Sequence, residues 1–130
     1  MNKLHFPTLS LVCAGLLAGC ATGPFQYSEL SGERYFLTNL DTHSVSISRI
    51  DGRSPPLLGR VLLEPGLRSI KVQGPPGGAG WADLVTTDLQ VEPCTKYYLV
   101  AVKRNRLATS FEVRVDFEEP VPGCTPPPAA

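Results

Sequence analysis

"SFEVRVDFEE", residues 110–119, alternates apolar and polar side chains without a fault. Phe111, Val113, Val115 and Phe117 point one way, and Ser110, Glu112, Arg114, Asp116 and Glu118 the other. A period of two marks a strand with one buried face and one wet face. Just upstream, "KYYLVAVKR", residues 96–104, is nearly continuous apolar, as a central strand is. A turn between Arg104 and Thr109 makes the two a hairpin. Tyr97 and Tyr98 must then face opposite sides of their strand, one into the core and one outward.

Working outward, the same texture recurs. "HSVSISRI", residues 43–50, sets Val45 and Ile47 against Ser44, Ser46 and Ser48. "RVLLEPGLRSIKVQ", residues 60–73, reads as a hairpin turning at Glu64-Pro65-Gly66, where proline presets one central turn position and glycine accepts the positive φ of the next. "ADLVTTDLQVE", residues 82–92, is a less regular strand stopped by Pro93. "ERYFLTNL", residues 33–40, is aromatic and apolar, with the turn residues Asn39 and Asp41 at its end. Between them lie "DGRSPPLLG" (residues 51–59) and "GPPGGAG" (Gly74 to Gly80), loops rich in breakers, the second ending at Trp81. About seven short strands, no helical pattern past residue 20 and 13 prolines predict an all-β fold, a small antiparallel β-sandwich over residues 33–124.

The first 25 residues have another character. One positive charge, Lys3, precedes an apolar run from Leu9 to Leu17 that ends on small residues, the order of a secretory leader. A membrane span needs about 20 apolar residues, and this run is shorter. Leu17-Ala18-Gly19-Cys20 resembles the lipobox of bacterial lipoproteins. The resemblance implies cleavage after residue 19, a diacylglyceryl thioether on Cys20, and an acyl chain such as palmitate on the new amino terminus. Two or more chains make a stable anchor. Ala21, rather than aspartate, implies sorting to the outer membrane of a Gram-negative cell, facing the periplasm. The expected organisation is a signal peptide at 1–19, a lipidated tether at 20–32, the sandwich at 33–124 and a disordered tail at 125–130.

On that reading Cys13 leaves with the leader and Cys20 carries lipid, so Cys94 and Cys124 remain together in an oxidising compartment, where a disulfide is expected. The competing state is two free thiols or half of a metal site. Soft sites want four Cys or His ligands, and the mature chain offers one histidine, His43. A second resemblance, carried by "ISRIDG" (47–52), "LLEPGLRSIKV" (62–72) and "YYLVAV" (97–102), is to small PEGA-like and immunoglobulin-like envelope domains and to small bacterial lipoproteins built the same way. It implies fold and location and brings no catalytic residues.

Removal of Lys3 with the leader leaves 12 − 1 = 11 basic against 12 acidic residues, which gives nucleic acid no electrostatic handle. Asp41, His43 and Ser44 are catalytic residue types, but a triad draws its members from separated parts of a fold. "GPPGGAG" lacks the lysine and the helix of a phosphate loop. Asp116, Glu118 and Glu119 lie on one strand rather than flanking a cleft. No enzyme activity, cofactor, metal or small-molecule ligand is expected. The expected partners are the membrane, through the lipid anchor, and an envelope protein, with Lys103, Arg104 and Arg106 at the last hairpin tip as contact candidates. The alternative is a glycan- or peptide-binding module using Trp81 and the Gly74–Gly80 loop.

Overall fold

The computed structural model describes residues 26–76, 83–105 and 107–128. The leader, Cys20, Trp81 and Arg106 lie outside them. The described chain is all-β, with eight strands in two facing sheets: β1 (Ser28–Ser31), β2 (Thr42–Ser44), β3 (Ser46–Ile50), β4 (Val61–Leu63), β5 (Gly66–Gln73), β6 (Leu84–Val91), β7 (Thr95–Val102) and β8 (Glu112–Pro120). The first sheet centres on β7. β8 lies along one of its edges, while β1 and then β2 share the other, with β4 outside β1. The second sheet is β3-β5-β6. Tyr97, Leu99 and Ala101 of β7 meet Ile70 and Val72 of β5 and Leu89 and Val91 of β6 across the interior.

Three short corners carry the chain from one sheet to the other: Val45, Glu64-Pro65, and Glu92 to Cys94. The second corrects an expectation. Pro65-Gly66 makes a turn, with Gly66 at φ 114°, but β4 pairs with β1 and β5 with β3 and β6, so the turn joins two sheets instead of closing a hairpin. The named strands pair antiparallel except at one place, where β1 runs parallel to β7.

The tether boundary at residue 32 is likewise overturned. Ser28–Ser31 is a sheet strand, and Ser28, Glu29 and Leu30 are buried. Polar residues survive there because they are paired. The Ser28 hydroxyl donates to the Glu92 carbonyl and accepts from Thr95 N at 3.1 Å, which ties β1 to the third corner. The Tyr97 hydroxyl, its ionisation pushed up by burial, accepts the neighbouring Glu92 N–H at 2.8 Å. Tyr97→Phe strands that amide, and the expected loss is about 1–3 kcal/mol in urea unfolding with no change in far-UV spectrum.

Cys94 and Cys124 form the expected disulfide, with Cα atoms 5.4 Å apart. A Pro-Gly turn brings Cys124 back to its partner. Cys124 N donates to Val121 O at 3.2 Å around Pro122-Gly123, with Gly123 at φ 75°.

Candidate functional site

β7 and β8 pair from Thr95 opposite Pro120 to Val102 opposite Glu112, with one surplus residue, Asp116, between the Tyr98–Phe117 and Leu99–Val115 pairs. A surplus residue in one strand turns over every side chain beyond it. Val113 and Val115 therefore face inward with Leu99 and Ala101, whereas Phe117 joins Tyr98 on the outer face. This corrects the expectation that Phe111, Val113, Val115 and Phe117 share one side. The paired tyrosines divide as expected, Tyr97 in the core and Tyr98 outside.

Two aromatic rings on an outer face attract cover. The strap between β1 and β2, residues 32–41, lies across them. Tyr35 stacks on Phe117 with ring centroids 3.9 Å apart and planes 15° from parallel, and meets Tyr98 edge-on at 5.1 Å. Phe36 sets its edge against Phe117 at 5.7 Å. Each such pair contributes about 0.5–1.5 kcal/mol beyond the area it buries. The bulged Asp116 carboxylate accepts the Phe36 N–H at 3.4 Å. At the far end Arg34 Nη1 donates to Asn39 O and Thr42 O, at 3.3 and 3.1 Å, and fastens the strap to β2.

The strap does not bury itself. Tyr35 and Phe36 remain 42% and 46% exposed, and Leu37 and Leu40 70% and 74%. Beside this apolar patch runs a polar rim. The Tyr98 hydroxyl donates to Glu119 Oε1 at 2.6 Å, a bond that pushes the Tyr98 ionisation up. Lys96 Nζ stands 3.9 Å from the same oxygen and 4.9 Å above the Tyr98 ring; its proton is held first by Tyr98 and then by the Glu29 and Glu119 charges. Glu29, opposite Lys96 across the strand pair, takes Arg60 at 2.7 Å. An apolar centre with a polar rim is the anatomy of a protein-contact surface.

The residues singled out in the sequence fall elsewhere. Lys103 is only 7% exposed, so it does not belong to a cationic tip, although Arg104 is exposed. His43 pairs across from Ala101, and its imidazole is pushed toward the neutral form by burial and then by Lys103 and Arg34. Asp41 and Ser44 are exposed, and neither hydrogen-bonds the His43 ring. The described start of the glycine loop is structural: Gly74 N donates to Asp83 O at 3.1 Å and closes the β5–β6 connection. Among the described residues no group of three or more His, Cys, Asp or Glu side chains is placed to hold a metal, and no helix is long and apolar enough to cross a membrane. The sequence marks residues 33–40 as aromatic and apolar with turn residues at their end, but the stretch forms a strap and no strand, and none of its side chains is a contact candidate from sequence alone. Compared with known protein families, curated proteins and solved structures, the chain matches none of them.

Proposed function

We propose that this chain is an outer-membrane lipoprotein whose periplasmic domain serves an envelope assembly as an accessory subunit, binding a protein partner through the strap. The anchor rests on Leu17-Ala18-Gly19-Cys20 and the apolar run before it. The contact role rests on one observation: Tyr35, Phe36, Leu37 and Leu40 stand exposed on a strap that aromatic stacking and the Arg34 side chain's hydrogen bonds hold in place. A preorganised apolar surface loses little entropy when a partner covers it.

A photo-crosslinking amino acid at Leu37 in intact cells is expected to yield one discrete protein adduct, and the same group at Leu84, exposed on the second sheet, none. No discrete adduct from position 37 overturns the contact role. Binding of the purified protein to cell-wall fragments, lost in Trp81→Ala, would establish the glycan alternative instead.

A further inference from the structure

Arg53 to Arg60 reads Arg-Ser-Pro-Pro-Leu-Leu-Gly-Arg, and it joins β3 in one sheet to β4 in the other. Leu57 is 100% and Leu58 90% exposed, the most exposed of the large apolar side chains described. Neither belongs to the described hydrophobic core, and two adjacent leucines at a loop tip are costly to leave in water. No acidic residue stands between the flanking arginines. Pro55 and Pro56 restrict the backbone just before the tip, so that holding it against a surface loses little entropy.

The position of this loop relative to the chain's exit decides what meets it. β1 and β7 are parallel, so the start of β1 and the β7–β8 hairpin tip lie at opposite ends of the sheet. The first half of the loop, Arg53 to Pro56, belongs to the exit end. Tyr27, just before β1, lines one cleft of about 580 Å³ together with Arg53, Ser54, Pro55 and Pro56. Leu57 and Arg60 line a second cleft that shares Pro55 and Pro56 with the first and runs from Glu29 and Lys96 past the end of β1 to Gly32 and Val45. From Cys20 to Tyr27 is 27 − 20 = 7 residues, which span at most about 25 Å when fully extended. A chain held at Cys20 thus keeps this end of the domain beside the bilayer.

We propose that Leu57 and Leu58 dip into the interface of the membrane that holds the acyl chains, with Arg53 toward its phosphates. The inference rests on the anchored reading and adds an orientation to it: the 53–60 loop faces the lipid, while the strap and the 103–111 hairpin are left free for a partner. Leucines lie in the interfacial region with basic side chains at headgroup level, the same division of labour as in an interfacial helix.

The test is an encoded environment-sensitive fluorescent amino acid at position 57 of the full-length protein, purified from membranes and reconstituted into phosphatidylglycerol-containing vesicles. A blue-shifted emission, quenched at least about twofold by lipids brominated on the acyl chain, is expected at 57. The same probe at Leu107, 88% exposed on the opposite hairpin, should stay water-like. A water-like, unquenched probe at 57 overturns the proposal, and so does equal quenching at 57 and 107. The anchor is read separately, from the mass and membrane fractionation of Cys20→Ser. Should that variant keep the wild-type mass and location, the probe at 57 in the unlipidated chain still decides the loop's lipid contact when vesicles are added.

Discussion

Gly32→Ala is expected to leave the domain unfolded or nearly so, with a loss of about 4 kcal/mol or more in urea unfolding, close to the whole stability of a small domain. A Cβ at Gly32 would stand 2.0 Å from the Val45 carbonyl oxygen and 3.0 Å from its carbon. Those are backbone atoms, and they cannot swing aside as a side chain does. Val45 N donates to Gly32 O at 2.8 Å, so the two chains are locked at the point where the strap leaves β1 and the chain turns from β2 into β3. Separating them breaks that bond and withdraws Val45 from the core. Gly74→Ala should cost less, about 1–3 kcal/mol, because its Cβ meets the Phe111 ring, which can shift. Gly52→Ala meets no atom within 4 Å and should cost only the strain of φ 79°, about 1 kcal/mol. A Gly32→Ala protein that melts within about 5 °C of the wild type would mean that the strap leaves β1 by another path.

How far that path was legible in the sequence depends on the scale of the signal. The alternation of residues 110–119 located β8, and the apolar run 96–104 located β7, because burial on one face or two imprints directly on residue type. The same pattern misplaced Phe117, since a bulge adds a residue to the pairing without changing the alternation. Pro65-Gly66 announced a turn correctly but not its destination, because turn chemistry is local and membership of a sheet is not. β1 escaped notice for a different reason. Ser-Glu-Leu-Ser carries no apolar period, and its burial rests on partners far along the chain: Glu92, Thr95 and Arg60. The strap combined both difficulties. Its rings pack on rings from β7 and β8, flat on Phe117 and edge-on to Tyr98, a tertiary match with no period of its own, so the candidate contact surface became visible only once the bulge had turned Phe117 outward.

The disulfide carries the other large expected effect. Cys94 and Cys124 are separated by 30 positions, and closing a loop of that size removes enough freedom from the unfolded chain to stabilise the fold by about 3–4 kcal/mol. Cys94→Ala/Cys124→Ala should lower the unfolding free energy by that amount, and a reductant should do the same to the wild type. The native arrangement has support besides the bond. Val121 N donates to Cys94 O at 2.8 Å, and Cys124 N returns to Val121 O, so the corner between β6 and β7 is expected to keep its shape in the variant. One residue there is strained without the bridge: Cys94 holds a left-handed backbone at φ 57°, which a β-carbon makes unfavourable by about 1–2 kcal/mol. In the crosslinked protein the bridge outweighs that strain; in the alanine pair nothing opposes it. Cys94→Gly/Cys124→Ala should therefore recover about 1 kcal/mol relative to the alanine pair, although glycine also loosens the unfolded chain. A glycine variant no more stable than the alanine one would show that the corner relaxes out of the left-handed region when the bond is absent. The bond would then set the backbone of residue 94 as well as restrain the unfolded chain.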